Sequence, residues 1–217
     1  MKAYKKTMII TVLITLFPIL IGLALWNKLP DQLPTHWDAG SQVDGWTDKA
    51  KAIFFLPCLM AVIQVVVAFC MFADPKAKNI HKKLLIVSLW IVPILSICLN
   101  AASYMTALGV QISMTVLCCL LIGILFLALG NYLPKLQQNY TVGIKIAWAL
   151  ADEDNWERTH RFGGKLMVVS GLLMVLLAFI SSWLGDTATF ILLIILTLIS
   201  SIVPMIYSYV IYRRKNK

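Results

Sequence analysis

Charged side chains are scarce in this chain. Asp, Glu, Lys and Arg supply 13% of its 217 residues, where a soluble globular domain carries roughly 25%. The scarcity is regional: residues 7–26, 52–73, 84–104, 112–130, 166–185 and 187–211 contain no Asp, Glu, Lys, Arg or His. Ion-coupled transporters and proton pumps keep ionisable groups at mid-membrane facing a cavity, so this absence argues against that class. No His-Glu-x-x-His motif occurs, which disfavours an intramembrane metalloprotease. The five cysteines, Cys58, Cys70, Cys98, Cys118 and Cys119, all fall inside the charge-free stretches. Cys behaves there as a small apolar residue, and neither a disulfide framework nor a metal cluster follows from that placement. No small-x-small cleavage site follows Leu25-Trp26, so the first stretch is expected to be a retained helix and not a signal peptide.

What is there is lipid-like. Apolar residues make up 60% of the chain and the mean hydropathy is +0.83. Each charge-free stretch is near the ~20 residues a helix needs to cross ~30 Å of hydrocarbon. The expected fold is therefore all-α, a polytopic membrane protein with six transmembrane helices. Gln64 and Asn100 are polar residues at depth, and each is expected to tie two helices together by a side-chain hydrogen bond of about 1 kcal/mol. Pro18, Pro57, Pro93 and Pro204 are expected to kink or start spans, with neighbouring helices compensating the freed carbonyls.

Orientation follows from the basic residues, which stay cytoplasmic when they flank short loops. With both termini inside, the inner segments hold sixteen of the nineteen: Lys2, Lys5, Lys6; Lys76, Lys78, Lys82, Lys83; Lys135, Lys145, Arg158, Arg161, Lys165; Arg213, Arg214, Lys215 and Lys217. The outer segments keep Lys28, Lys49 and Lys51 beside Asp31, Asp38, Asp44 and Asp48. The net charge of +9 thus reads as an orientation device attracted to the anionic lipid bilayer, with no nucleic-acid partner implied.

Two loops have more design than connectors need. In the outer loop, residues 27–51, Pro30 and Pro34 stiffen an extended start, Asp38-Ala39-Gly40 and Asp44-Gly45 signal turns, and Trp37 and Trp46 suit the headgroup level. A compact hairpin-like cap is expected. His36 with Asp38 and Asp44 lacks diagnostic ligand spacing, so no metal is expected. The 131–165 loop is the longest polar segment, and an interfacial helix is expected in it. Acids Asp152, Glu153 and Asp154 precede Trp156, and Arg158, His160 and Arg161 precede Gly163, the order a helix dipole favours. Asp152 is the expected N-cap and Gly163 the C-terminal stop. Trp156, Trp148 and Phe162 are expected to lie in the interface plane, and Gly163-Gly164 to form a hinge into the fifth span. Glu157 and His160 have the i,i+3 spacing of a metal pair, but further ligands are missing.

At these loops the chain resembles a known family. Leu33-Pro34-Thr35-His36-Trp37-Asp38-Ala39-Gly40, followed by Val43-Asp44-Gly45-Trp46 and Lys49, resembles the outer-loop signature of the DUF1648 domain. Gly130-Asn131-Tyr132-Leu133-Pro134-Lys135, Asn139-Tyr140-x-Val142-Gly143-Ile144, Trp148-x-Leu150 and Trp156-x-x-Thr159-His160-Arg161-x-x-Gly164-Lys165 are similar to the SdpI family signature. The resemblance implies a DUF1648-like region over 1–75 and an SdpI-like region over 76–217. SdpI-type proteins are multi-pass bacterial membrane proteins, and the founding member protects its cell against a secreted toxic peptide and draws a repressor to the membrane once toxin is bound. One departure stands out: where the family usually has Gly-Ile-Arg-Thr-Pro-Trp, this chain reads Gly143-Ile144-Lys145-Ile146-Ala147-Trp148, without the forked guanidinium donor and the rigid proline.

The reading that follows is a plasma-membrane immunity protein without catalytic chemistry and without a cofactor. His36, Trp37, Asp38, Asp44 and Trp46 would meet a toxic peptide at the outer face. Asn131, Asn139, Gly143, Trp148, Trp156, Thr159, His160, Arg161 and Gly164 would form an inner loop that stabilises the bound state or reports it to a cytoplasmic transcriptional repressor. Two alternatives stay open: a small-molecule or lipid transporter built around Asn100 and Gln64, and an intramembrane hydrolase using His160 and Glu157.

Overall fold

A computed structural model describes residues 2–215, with residues 2–4 as backbone alone. The side chain of Lys2 and all of Lys217, both counted in the orientation argument, lie outside the described residues.

Helix α1 (Lys2–Ala24) leads into strands β1 (Gln32–Trp37) and β2 (Val43–Asp48), then α2 (Lys49–Ala73) and α3 (Lys82–Ala107). Helix α4 (Met114–Tyr132) is followed by a short α5 (Ala147–Ala151), then α6 (Glu153–Leu184) and α7 (Asp186–Lys215). Among the described residues six helices, α1, α2, α3, α4, α6 and α7, are long and apolar enough to cross a membrane. Even α4, with 19 residues, spans ~29 Å at 1.5 Å per residue. A helix satisfies its own backbone, which is what hydrocarbon demands. The two-stranded hairpin is the exception to the all-α expectation, and it sits in the expected cap.

The long helices form two groups, α1 with α2 and α3, and α4 with α6 and α7. Polar stitches hold the first. Gln64 Nε2 donates to Thr11 Oγ1 and to the Leu89 carbonyl, both at 2.8 Å, joining three helices. Ser96 Oγ donates to the Thr15 carbonyl at 2.8 Å. Asn100 differs from expectation: its Nδ2 donates at 2.8 Å to the Ser96 carbonyl one turn back in its own helix, so the ties from that region of α3 to α1 are made by Ser96 and by Tyr104 Oη, which donates to the Pro18 carbonyl at 3.2 Å.

Glycines hold the second group. A Cβ on Gly164 would lie 2.7 Å from the Gly130 carbonyl oxygen, and one on Gly130 would lie 2.7 Å from that of Gly164. Gly123 and Gly171 repeat the arrangement at 2.9 and 2.7 Å. In both helices the glycines recur after seven residues, which returns them to one face and lets two backbones touch. This corrects two expectations. Gly163 does not stop a helix, because α6 runs unbroken over 32 residues from Glu153 to Leu184, and Gly164 sits against α4 in a close packing contact where a hinge was expected. Lost helix propensity at a glycine, about 1 kcal/mol, is offset by backbone approach.

The groups meet along a short seam of α3 and α4, beside an apolar cleft of about 360 Å³ faced by Trp90, Ile94, Leu121 and Leu125. At one end of the bundle lie the hairpin, the 108–113 loop and the Gly185 turn. At the other lie the start of α1, the end of α7, the α2–α3 loop and the 133–152 loop.

Candidate functional site

The hairpin is antiparallel, pairing Gln32 with Asp48, Leu33 with Thr47, Pro34 with Trp46, His36 with Gly45 and Trp37 with Val43, with irregular register on either side of His36. Its turn is built by the expected residues. Asp38 Oδ1 accepts from the backbone N–H of Gly40 at 2.8 Å and of Gln42 at 2.9 Å. That closure carries Ser41 into the left-handed region at φ 61°. His36 Nδ1 lies 2.5 Å from Asp44 Oδ1, and Thr35 Oγ1 lies 2.9 Å from Thr47 Oγ1 across the ladder. Of the five residues expected to meet a ligand, His36, Asp38 and Asp44 thus hold the hairpin itself. Trp46 is exposed, and half-buried Trp37 walls two clefts.

The hairpin is bolted to both helix groups. Leu33 is fully buried against Leu29, Ala52, Ile53 and Tyr104, and Ser103 Oγ donates to the Pro34 carbonyl at 2.6 Å. Lys49 Nζ donates to the carbonyls of Trp26 (3.2 Å) and Leu29 (2.9 Å). On the other side Ser41 Oγ accepts from the Thr115 N–H at 3.0 Å, and Ser113 Oγ donates to Asp186 Oδ2 at 2.9 Å.

The 131–165 loop is clasped over its own helix. Gly143 has φ +119°, and a Cβ there would collide with His160 Nε2, so only glycine fits. The neighbouring Ile144 N–H donates to His160 Nε2 at 2.9 Å, while His160 Nδ1 sits 2.8 Å from the Trp156 carbonyl. An acceptor at Nε2 and a carbonyl partner at Nδ1 assign the neutral Nδ1–H tautomer. Trp156 stacks on that imidazole with ring centres 3.9 Å apart, and its Nε1 donates to the Leu136 carbonyl at 2.8 Å. Trp156 is therefore buried, not laid in the interface plane as expected. Phe162 packs on Tyr207 at 4.7 Å and Trp148 on Tyr209 at 5.4 Å, both against α7. Trp156 is held by a carbonyl and a ring of the clasp, and Trp148 and Phe162 by rings of α7.

Buried Asn139 folds the loop locally, accepting from the N–H groups of Thr141 (3.0 Å) and Val142 (2.8 Å). Thr159 Oγ1 donates to Asn155 Oδ1 at 3.0 Å, and Asn155 Nδ2 donates to the Ser208 carbonyl at 3.1 Å. Asn131 is exposed at the end of α4. Arg161 pairs with Glu157 on the exposed face, while His160 points inward. The Glu157–His160 metal pair is accordingly not assembled, and among the described residues no group of three His, Cys, Asp or Glu side chains could hold a metal ion.

Several organising residues escaped the sequence reading. Asp74 accepts from the backbone N–H of Lys76 (2.7 Å) and Tyr140 (2.9 Å) and from Thr141 Oγ1 (2.7 Å). Burial raises the Asp74 carboxyl pKa, but the Thr141 hydroxyl and the backbone N–H groups outweigh it, and the net shift is downward. Its signal was the turn-initiating pair Asp74-Pro75. Gln138 joins Lys76 (2.6 Å), Asn79 (2.7 Å) and Leu150 (2.8 Å), and nothing local announces it. Asp152 is the N-cap as expected, accepting from the Asp154 N–H at 3.0 Å. Lys215 Nζ, 2.7 Å away, holds the Asp152 carboxyl below its ordinary range and fastens the end of α7 to the start of α6.

Residues 135–208 match the model of the SdpI/YfhL protein family, and residues 13–61 match that of a domain of unknown function, DUF1648. Along 211 residues the chain is 27% identical to the immunity protein SdpI of Bacillus subtilis (strain 168), covering 97% of this chain and 98% of that protein. No solved structure matches it.

Proposed function

From a chain that carries the SdpI/YfhL family region behind a DUF1648 region, with six membrane-crossing helices in a multi-pass cell membrane protein, we propose an immunity protein that protects its own cell against a secreted, membrane-active toxic peptide. The observation that carries this reading is the likeness to an immunity protein along 97% of the chain. The sixteen-to-three bias of basic residues supports placing the hairpin outside and the 133–152 loop inside. Region 1–75 then supplies the peptide-facing hairpin, whose aspartates attract a cationic peptide, and region 76–217 supplies the cytoplasmic clasp. The clasp is the face a transcriptional repressor would meet. No step of this reading calls for catalysis or a cofactor.

The test is expression in a sensitive bacterium challenged with a panel of cationic amphipathic pore-forming peptides. Wild type should raise survival against at least one of them, and Trp37→Ala should abolish that gain at unchanged membrane abundance, since a central aromatic contact contributes about 1 to 3 kcal/mol to binding. No protection against any peptide would remove the reading. Sidedness is checked in a cysteine-free background, where Gln32→Cys should label from outside intact cells and Gln137→Cys only after permeabilisation.

A further inference from the structure

Beside the hairpin turn lies a polar pocket of about 430 Å³ that none of the motifs above contains. Trp37 and Gln42 line it from the hairpin, Thr106 and Gln111 from the end of α3 and its loop, Ser113 from the start of α4 and Asp186 from the start of α7. We propose that this pocket seats a primary ammonium group of a cationic peptide, either a lysine side chain or the peptide's amino terminus, with Asp186 as its counter-ion and Trp37 as its aromatic wall. The proposal rests on the immunity reading, and it names the chemistry by which the toxic peptide is recognised.

Two observations carry it. Asp186 is half-buried and uses Oδ2 to accept from Ser113, yet among the described residues it forms no ion pair. The dipole of α7 favours an acid at that position but does not account for the polar cavity in front of it. An ammonium carries three donors and no acceptor, so it matches the remaining lone pairs of that carboxylate. Second, Trp37 also walls an adjoining cleft of about 200 Å³ faced by Leu99 and Phe190. The ring therefore stands between a polar seat and an apolar notch, suited to a cation at its face and an aliphatic neighbour behind it. The alternation of charge and apolar surface is that of an amphipathic peptide. A zwitterionic lipid headgroup fits less well, because no Lys or Arg lines the pocket to take its phosphate.

The experiment uses the full chain in phosphatidylcholine nanodiscs. The probe is a fluorophore-labelled amphipathic peptide of leucine and lysine, and its control is the same peptide with every amine acetylated. Signal from empty nanodiscs is subtracted. Wild type should bind the lysine peptide saturably and the acetylated twin at least about tenfold more weakly. Asp186→Asn keeps an oxygen to accept from Ser113, so the local fold is retained, and it should weaken the lysine peptide about tenfold or more. Asp31→Asn removes the same charge outside the pocket and should change binding less than about twofold, which separates a specific seat from general attraction. Equal binding by Asp186→Asn and wild type, or equal binding of the two peptides, would overturn the ammonium seat while leaving the immunity reading intact. Loss of the Asp186-dependent binding when phosphatidylethanolamine replaces phosphatidylcholine would show a lipid amine as the occupant and overturn the peptide assignment. Absence of saturable binding by wild type would likewise overturn the ammonium seat, whereas the immunity reading falls only if no peptide of the survival panel is resisted.

Discussion

The two ends of this molecule use the same side chains to opposite ends. At the hairpin, His36 faces Asp44 with 72% and 47% of their side-chain surfaces exposed, and Trp46 stands free at 54%. At the other end His160 is fully buried, stacked on Trp156, with both ring nitrogens taken by backbone partners. A histidine, a tryptophan and a nearby acid occur in both segments, and the chemistry of the residue types does not tell them apart. Burial does. An exposed pair loses little when broken and is free to exchange partners with a ligand. A buried one fixes backbone, and removing it leaves donors without acceptors. The hairpin's polar pair is thus exposed and exchangeable, and the clasp's is buried and fixes backbone.

The largest effect expected from breaking this contrast is at Gly143. Gly143→Ala combines a left-handed backbone with a collision against His160, and a misfit of that kind costs more than about 3 kcal/mol. The variant should fail to accumulate in membranes, or unfold at clearly lower temperature in detergent. Wild-type stability would mean that the clasp is looser than described. Next comes His160→Ala, which removes the acceptor of the Ile144 N–H and opens a cavity beneath Trp156, at about 2 to 4 kcal/mol. Its thermal unfolding and tryptophan emission should both shift.

A smaller effect sharpens the comparison through pH. The Asp74 carboxyl has a native pKa below its ordinary 3.8, so below pH 3.8 the unfolded segment binds more protons than the folded one. Its contribution is fully present above pH 3.8 and is lost as pH falls through the lower native value. Acid should therefore release the α2–α3 loop from the 139–142 segment while the glycine-packed α4 and α6 hold, seen as faster amide exchange at Tyr140 and Thr141. Asp74→Asn should move that release to neutral pH. Unchanged exchange in Asp74→Asn would place the anchor elsewhere.

How much of this was legible in the sequence depended on the range of the interaction. The six spans were, because hydrocarbon imposes a length and a composition that any stretch of about 20 residues displays by itself. The hairpin was, because Asp38-Ala39-Gly40 and Asp44-Gly45 encode turns within a few residues. Asp152 as N-cap was legible for the same reason. Gly163 and Gly164 misled, because a glycine that ends a helix and a glycine that admits a neighbouring backbone look identical until Gly130 is placed opposite. Trp156 misled similarly: a tryptophan near charges suits an interface, and only the folded loop brings the Leu136 carbonyl to its N–H. Asp186 and Thr106 went unremarked, since one opens α7, the other lies at the end of α3, and 79 residues separate them.

The smallest expected effect is the one that tests the contrast most directly. His36→Ala removes the exposed hydrogen-bond partner of Asp44, and exposed polar pairs of this kind contribute about 0 to 1 kcal/mol. Asp44→Asn should cost no more, and the double variant should show little coupling, because the hairpin keeps its ladder, the Asp38 turn and the buried Leu33 anchor. Thermal unfolding of the three variants in one detergent gives the measurement. If His36→Ala lowers stability as far as His160→Ala does, the exposed pair is a structural rivet like the buried one. The hairpin would then lose its claim to be the recognising end, and protection lost in its variants could no longer be attributed to binding.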